Sequence, residues 1–319
     1  MSDHYSGGGD KTLAKLVTLE KYVNAYTHIM VDNWSRGDLW YIDTHAGTGK
    51  VDMETFGAEV PGSAIRIVRN HRGEFDRFYF YESDQDNFDL IQNTLAEEFD
   101  LQFETWETDA GFTVSKSSTP RIMLLMTNSN EGIQWLCKEA NSNHHWFVFM
   151  DPEAVTDLEA NAVEALTDRE NSDILINFQT TGAHRAAGWE PSRGSVERLG
   201  GGEPVENGDP DDEVEWFCEN IEAVSEYETT SRKTVSEASR GHRFDLVFAS
   251  SNETAIGIMT DIMDKSLKQE IANEIRTYRS EGGQQGLENW WDIKFIEHGA
   301  DSEAESHRSD AQSGLDDFK

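Results

Sequence analysis

The fold of this chain is decided by the stretch Leu39-Trp40-Tyr41-Ile42-Asp43-Thr44-His45-Ala46-Gly47-Thr48-Gly49. It begins with apolar and aromatic residues that suit a buried parallel strand, and an acid and a loop with two glycines follow them. Such a strand end brings a carboxylate and bare backbone N–H groups to one sheet edge, where open α/β folds bind nucleotide-like ligands. The pattern D-x-x-A-G-x-G differs from the G-x-G-x-x-G of dinucleotide enzymes and lacks the P-loop lysine. The stretch therefore predicts either a ligand loop or a purely structural glycine turn.

Strands and helices alternate along most of the chain. The spacing of apolar residues predicts a long amphipathic helix from Asp10, followed by helices at Ser63–Asn70 (with Ser63 as N-cap), Asp84–Glu98, Glu131–Ala140, Leu158–Leu166, Val214–Tyr227 and Glu253–Tyr278. The predicted strands after Leu39–Asp43 are Phe78–Glu82, Arg121–Met126, His145–Asp151, Asp173–Phe178, Phe244–Ser250 and Trp290–Ile296, the last of them antiparallel. This alternation predicts an α/β fold with a Rossmann-like, doubly wound sheet.

The two ends of the chain and one internal segment depart from this pattern. Residues 1–9 are predicted to be a flexible N-terminus, 10–297 a single domain, and 298–319 a disordered acidic tail. Within the domain, Gly188–Asp212 is rich in Gly, Pro and acids. A segment of this length is either disordered or functional, so we expect a lid or substrate insertion after the fifth strand, at about 183–243.

The composition is strongly acidic, since 27 Lys and Arg face 61 Asp and Glu among 319 residues, a net charge of -34. Aromatic and aliphatic runs persist, which argues against the disorder that high charge often signals. The simplest interpretation is the solvated acidic surface of a halophile. A basic partner that binds a localised acidic patch is the alternative.

The spacing of cysteines and histidines and the short length of the apolar runs argue against a metal site, a disulfide framework and a membrane protein. Cys137 and Cys218 lie far apart without C-x-x-C spacing, so neither a zinc site nor a disulfide framework is expected. His45, His144 and His145 do not form a metal pattern, and we expect no metal. No apolar run has membrane length and no signal peptide is present, which predicts a soluble, cytoplasmic protein without a membrane partner.

Polar residues follow the predicted strands at their carboxyl ends. Glu82 ends the second strand, where nucleotide-binding folds place a carboxylate whose two oxygens accept both ribose hydroxyls. Asn128 or Asn130, in the loop after the third strand, could hydrogen-bond an adenine edge. Asp109, which follows a second candidate for this strand at Leu101–Glu107, competes for this place. The structural alternatives, which involve no ligand, are a solvated strand end for Glu82 and a helix cap for Asn128.

Asp151 and Pro152 follow the fourth strand, and the proline would aim the preceding carboxylate into the crevice. Methyltransferases that modify exocyclic amines carry Asp/Asn-Pro-Pro and an aromatic here, which position the amine so that its lone pair points at the methyl group of S-adenosylmethionine (SAM). The second proline and the aromatic are missing, so a structural turn is the alternative. After the fifth strand, Arg185 and several other basic residues could contact a substrate such as a nucleic acid, or form ordinary salt bridges.

In order and spacing, these motifs resemble the three-Cys-motif partner proteins over roughly Lys15 to Met263, and the acidic composition suits a haloarchaeal-type member. The residues that carry the resemblance are Leu19-Glu20-Lys21-Tyr22, Tyr41–Gly49, Gly62-Ser63, Glu82, Asn128-Ser129-Asn130, Phe149-Met150-Asp151-Pro152, Asp173–Phe178, Arg185, Phe248-Ala249-Ser250 and Gly257-Ile258-Met259. The resemblance implies a class I SAM methyltransferase-like fold with SAM as cofactor. It also implies a separate partner protein that carries a three-cysteine motif and resembles radical-SAM enzymes.

Residue by residue, the resemblance implies a SAM site, an acceptor site and a substrate contact. SAM would contact Asp43, Ala46, Gly47, Gly49, Glu82 and Asn128, while Asp151 and Pro152 would act in catalysis and Arg185 would bind substrate. The sequence departs from the family pattern at His45, where an aromatic is usual, at Asn128, where an aspartate is usual, and at Ala154, where a glycine is usual.

The leading hypothesis is therefore a SAM-dependent methyltransferase of unknown acceptor, with a nucleic acid or nucleotide as one candidate. The alternative is a non-catalytic SAM- or nucleotide-binding protein that works with its three-Cys-motif partner, and the incomplete D-P-E-A loop favours it. A nucleotide-binding enzyme of another chemistry is disfavoured because the P-loop lysine is absent.

Overall fold

The computed structural model describes residues 10–264, apart from 36, 54–57, 119–120, 141–142, 155–156, 170, 189–192, 195, 198, 200–208 and 238–242, and in addition 273, 274, 276 and 293–296. The predicted flexible N-terminus and the predicted acidic tail lie outside the described residues, and the predicted insertion at 183–243 lies partly outside them. The domain boundaries therefore stay predictions.

Helices and strands alternate as the sequence predicts. The helices are α1 (Asp10–Asn33), α2 (Ser63–His71), α3 (Gln85–Phe99), α4 (Ser129–Glu139), α5 (Ala160–Thr167), α6 (Thr180–Ala187), α7 (Pro210–Val224) and α8 (Glu253–Asp264). The strands are β1 (Leu39–Asp43), β2 (Lys50–Met53), β3 (Ala58–Pro61), β4 (Arg77–Glu82), β5 (Glu104–Glu107), β6 (Thr113–Lys116), β7 (Ile122–Met126), β8 (His145–Met150), β9 (Ser172–Phe178), β10 (Glu228–Glu237), β11 (Arg243–Ser250) and β12 (Ile293–Ile296).

Ten strands form the central sheet, in the order β12-β10-β11-β9-β8-β1-β4-β7-β6-β5. β9, β8, β1, β4 and β7 are parallel to their neighbours in this run, and the chain moves outward from β1 through β4 to β7 and, on the other side, from β8 to β9. β11 is antiparallel to both β9 and β10, so β10 runs with the parallel strands. The predicted α/β fold, a Rossmann-like doubly wound sheet preceded by an N-terminal helix, is confirmed.

Apolar side chains on the two faces of the sheet build two cores. Alternating residues such as Tyr41, Phe147 and Phe149 pack under α1, α2, α3 and α8. The residues between them, such as Trp40 and Trp146, pack under α4, α5, α6 and α7. A parallel sheet covered on both faces explains why its strands read as continuous apolar runs. We call the side that carries Tyr41 the α1 face.

Several local predictions need correction. Gly62, and not Ser63, is the N-cap of α2, because Ser63 is the first residue of the helix itself. The sequence did not predict α6, β6, β10 or the hairpin formed by β2 and β3, which is inserted between the glycine loop and α2. β5 is an exposed strand that pairs antiparallel with β6, so Arg121–Met126 was rightly preferred as the third parallel strand.

Candidate functional site

The predicted site residues at the strand ends meet at one edge of the sheet, where β1, β4, β7, β8 and β9 end; we call it the carboxyl edge. β1 and β8 are neighbours whose next strands lie on opposite sides, so the edge between them is the topological switch point of the fold. The backbone N–H of Thr44 donates to Phe149 O in β8 (3.0 Å), and that of Ala46 donates to Tyr81 O in β4 (3.0 Å). The loop after β1 is thus tied to both neighbouring strands.

Asp43 is fully buried at the end of β1. The Ser63 hydroxyl donates to its Oδ2 (2.5 Å), and the backbone N–H of His45 donates to its Oδ1 (3.2 Å). Burial raises the pKa of Asp43 to about 7, and the nearby charge of Asp151 acts in the same direction, although the two hydrogen bonds oppose the shift. Asp43 is therefore an acid whose ionisation a bound cation would favour near neutral pH.

The two glycines of the loop have different structural roles. Both adopt left-handed backbone conformations, with φ of 58° at Gly47 and 78° at Gly49. A Cβ atom on Gly47 would meet open space, whereas one on Gly49 would contact Ile65 and Ile91 at 3.4 Å. Gly47 therefore leaves room for a ligand above the loop, and Gly49 allows close packing below it.

Glu82 lies half-buried at the end of β4, one strand away from Asp43. Its Oε1 accepts hydrogen bonds from the backbone N–H groups of Ser83 and Asp84, both at 2.9 Å. Among the described residues nothing donates to Oε2. Burial raises the pKa of Glu82, and the two backbone donors oppose that shift. The carboxylate is held in place through one oxygen and leaves the other for the hydroxyl groups of a ligand.

Asn128 is exposed at the end of β7 and caps α4, because its Oδ1 accepts from the backbone N–H of Glu131 (2.9 Å). This is the helix cap that the sequence allowed. Asn130, in the first turn of α4, instead holds the loop before α5, since its Oδ1 accepts from the N–H of Glu159 (2.9 Å) and its Nδ2 donates to the carbonyl of Asp157 (3.2 Å). The adenine-binding role of Asn128 stays a prediction.

Asp151, directly after β8, has both carboxylate oxygens engaged. Lys15 of α1 forms a short ion pair with Oδ2, and the Nδ2 of Asn177 donates to Oδ1 at 2.7 Å. Pro152 is buried, and its carbonyl accepts from the Nε2 of Gln179 (3.2 Å). The expected acceptor groups at this strand end are therefore occupied by side chains of the chain itself.

Three residues of this arrangement were missed from the sequence, namely Lys15, Asn177 and Gln179. Asn177 left a signal, because it is the one polar residue near the end of the apolar run Ile174-Leu175-Ile176-Asn177-Phe178. Lys15 left none, because its contact with Asp151 spans 136 residues.

His45 lies within the glycine loop, with its Nδ1 2.7 Å from the Thr44 hydroxyl. Burial lowers the pKa of His45 to about 4, although the charges of Asp151 and Asp157 act in the opposite direction. The imidazole is therefore neutral at physiological pH and adds no positive charge to the carboxyl edge.

Arg185 is exposed on α6, and its substrate-binding role stays a prediction. Other basic residues of the same segment pair with acids, as the salt-bridge alternative expects: Arg193 with Glu197 (3.4 Å), and Arg243 with Asp245 (3.0 Å) and Asp211. Within the described part of the chain, His, Cys, Asp and Glu form no group of three that could hold a metal. The described helices include none that is both long and apolar enough for a membrane span.

Comparisons with known proteins give a fold likeness only. No protein-family model and no curated protein matches the sequence. Among solved structures, the chain is similar to Trm1 from Pyrococcus horikoshii in complex with S-adenosyl-L-methionine, with a TM-score of 0.48 and 11% identity over 79% of this chain and 58% of that one. The match thus spans less than two thirds of the length of that protein.

Two further solved structures show a weaker likeness. The O-methyltransferase from Bacillus cereus in complex with SAH has a TM-score of 0.37 and 13% identity, covering 78% of this chain and 94% of that one. An rRNA methylase from Streptococcus thermophilus has a TM-score of 0.36 and 9% identity, covering 72% and 95%. At these identities the likeness concerns the arrangement of strands and helices.

Proposed function

We propose that this chain is a SAM-dependent methyltransferase that binds SAM at the carboxyl edge of its sheet. The observation that carries the proposal is the convergence of Asp43, Gly47 and Glu82 at the switch point, with Asp151 on the neighbouring strand. On this proposal Glu82 Oε2 accepts from the ribose, Gly47 leaves room above the loop, and Asn128 lies near the adenine.

The charges of the site suit SAM better than a phosphate-bearing nucleotide. SAM carries a positive sulfonium and a positive ammonium group, and Asp43 and Glu82 supply negative charge at the edge, whereas the charge of Asp151 is already offset by Lys15. A buried acid whose pKa is raised to about 7 gains most from a nearby cation. Phosphate groups would meet these carboxylates with repulsion, and the loop lacks the lysine that a P-loop uses to offset it.

When bound, SAM supplies a methyl group on a positively charged sulfur. The residues of this chain position the acceptor and exclude water, which is most of what methyl transfer needs. α1 covers the sheet face beside the site, and the Asp151 carboxylate at the end of β8 would orient the acceptor.

Calorimetric titration with SAM tests this function. Glu82→Ala should weaken SAM binding by about 1 to 3 kcal/mol, because ribose hydroxyls lose their acceptor. Glu97→Ala, which removes an exposed acid on α3, is the matched control and should leave the affinity unchanged. No heat and no thermal shift with either SAM or its demethylated product would exclude the function.

A non-catalytic SAM-binding protein is the second candidate. The observation that favours it is that Lys15, Asn177 and Gln179 occupy the polar groups of Asp151 and Pro152. Labelled SAM incubated with cell extract separates the two candidates. A methyltransferase transfers label to an acceptor and loses that transfer in Asp151→Ala with SAM affinity intact, whereas a binding protein transfers none.

The resemblance to three-Cys-motif partner proteins and the acidic composition support two further parts of the proposal. The chain would act with a separate protein that carries a three-cysteine motif, and co-purification of the two tests this. A nucleic acid or nucleotide acceptor is tested by the same labelling experiment. A halophilic protein of net charge -34 should also gain thermal stability as KCl rises to molar concentration, because salt screens the repulsion between its acids.

A further inference from the structure

A row of polar side chains lies on the α1 face at the ends of three adjacent strands. Tyr41, Phe149 and Leu175 belong to the core under α1. Because side chains alternate along a strand, the residues two positions further on point to the same face. Those residues are Asp43, Asp151 and Asn177, at the ends of β1, β8 and β9.

Lys15 lies on α1, and its ammonium group contacts this row. It forms the ion pair with Asp151 Oδ2, and the Lys15 and Asp151 side chains are only 13% and 19% exposed. The other oxygen of Asp151 accepts from Asn177 Nδ2 (2.7 Å). The row thus already holds a primary alkylammonium group, contributed by a distant part of the same chain.

One buried acceptor in the row finds no partner among the residues that the structure describes. Asn177 is 2% exposed, and its Oδ1 accepts no hydrogen bond from any of them, although its Nδ2 donates to Asp151. A buried acceptor left unpaired costs about 1 to 3 kcal/mol, which a donor from a ligand or a water would recover. An ammonium group has three N–H donors, so a ligand amine could satisfy both Asp151 and Asn177 Oδ1.

We propose that Asp151 and Asn177 form a subsite for the primary alkyl amine that accepts the methyl group, and that Lys15 occupies this subsite until the acceptor displaces it. The inference rests on the proposed function and narrows its acceptor to an amine on an aliphatic chain. Before transfer the ammonium loses a proton to Asp151 and then to solvent. The nitrogen lone pair then forms the N–CH3 bond, and the C–S bond breaks with its electron pair left on sulfur.

The exocyclic amine of a nucleobase fits this subsite less well. The carbonyl of Pro152, the second acceptor in enzymes that modify such amines, already accepts from Gln179 Nε2. The D-P-E-A loop also lacks an aromatic ring that could stack on a base. The carboxylate and the occupant that the structure does provide suit a charged, flexible amine.

Lys15→Met tests the subsite, because methionine has a similar length without the charge. The full-length variant should bind n-butylammonium, which mimics a lysine side chain, at least tenfold more tightly than the wild type does, and 1-butanol should gain nothing. Lys21→Met, on an exposed position of the same helix, is the matched control and should behave as wild type. Adding Asn177→Ala to Lys15→Met should reduce n-butylammonium affinity at least tenfold.

Three results would overturn the inference. The first is equal affinity of the Lys15→Met variant for n-butylammonium and 1-butanol, and the second is tighter binding of adenosine or cytidine than of n-butylammonium by that variant. The third is that Asn177→Ala loses SAM affinity without losing amine affinity. The last would assign the row to the ammonium group of SAM. Lys15→Gln, which can still hydrogen-bond Asp151, replaces Lys15→Met if the latter does not fold. SAM titrations of the same proteins keep the two proposals apart, since amine binding without SAM binding would refute the proposed function while leaving the ammonium subsite.

Discussion

α1 contacts an acid near each end of the parallel strands, and the two contacts differ. At the amino ends, the buried Asp173 accepts hydrogen bonds from the hydroxyls of Tyr22 (3.1 Å) and Ser250 (2.6 Å). At the carboxyl edge, Lys15 pairs with the partly buried Asp151, while no described residue bonds the buried Asn177 Oδ1 or the buried Tyr41 hydroxyl. The same helix therefore completes one polar cluster and leaves the other incomplete.

On the proposed function, the difference separates a structural cluster from a ligand site. Neutral hydroxyl donors matched to a buried acid stabilise the fold and leave nothing for a ligand to add. Unpaired polar groups beside an ion pair lower stability unless a ligand or a water completes them, and departures of this kind are expected at functional sites. Replacing individual side chains at the two ends of α1 tests whether the two clusters differ in this way.

The largest expected effect is at the carboxyl edge, in Asp43→Asn. Burial raises the pKa of Asp43 to about 7, whereas an unfolded aspartate titrates near 3.9. The folded state thus retains a proton that the unfolded chain has lost, and the stability that this proton contributes is present at low pH and is lost as the pH rises through about 7. At pH 8, Asp43→Asn should therefore be more stable than the wild type by about 2 to 4 kcal/mol.

Urea unfolding at pH 4 to 8 measures this effect. Asp32→Asn, which changes an exposed acid on α1, should follow the wild type throughout. A difference in the free energy of unfolding between Asp43→Asn and wild type that stays constant over this pH range would show that burial does not raise the pKa of Asp43.

The second effect compares the two ends of α1 directly. Tyr22→Phe should lower the free energy of unfolding by about 1 to 3 kcal/mol, because it removes a donor to the buried Asp173. Lys15→Met should also cost about 1 to 3 kcal/mol, because it leaves the largely buried Asp151 carboxylate with Asn177 as its remaining donor. Added n-butylammonium should recover that loss in Lys15→Met and not in Tyr22→Phe. A loss that n-butylammonium recovers in neither variant would mean that both clusters are structural.

The smallest expected effect is the pH dependence of SAM binding at the carboxyl edge. If SAM brings a positive charge beside Asp43, it should lower the pKa of that acid and release part of a proton near pH 7. SAM affinity should then rise by up to about tenfold, or about 1.4 kcal/mol, between pH 6 and pH 8. Titrations in buffers of different ionisation enthalpy measure the release, which should vanish in Asp43→Asn; proton uptake on binding would contradict it.

The local sequence pattern was enough to predict the parallel strands of the sheet and the polar residues at their ends. Continuous apolar runs identified β1, β4, β7, β8 and β9, and the rules of parallel sheets then place their carboxyl ends along one edge. Asp43, Glu82 and Asp151 were found in this way. The hairpin after the glycine loop and the antiparallel strands β6 and β10 were not predicted, because strands with few apolar residues leave a weak pattern.

By itself, the sequence determined a doubly wound sheet with acids and a glycine loop at its switch point, because strand periodicity, glycine conformation and crossover handedness act over short stretches or follow general rules. The tertiary structure alone decided which partners those acids have. Ser63 bonds Asp43 across 20 residues and Lys15 pairs with Asp151 across 136. Such contacts depend on how α1 and α2 pack on the sheet, and no local spacing encodes that packing. They decide whether the carboxyl edge is a complete structural cluster or a site that awaits a ligand.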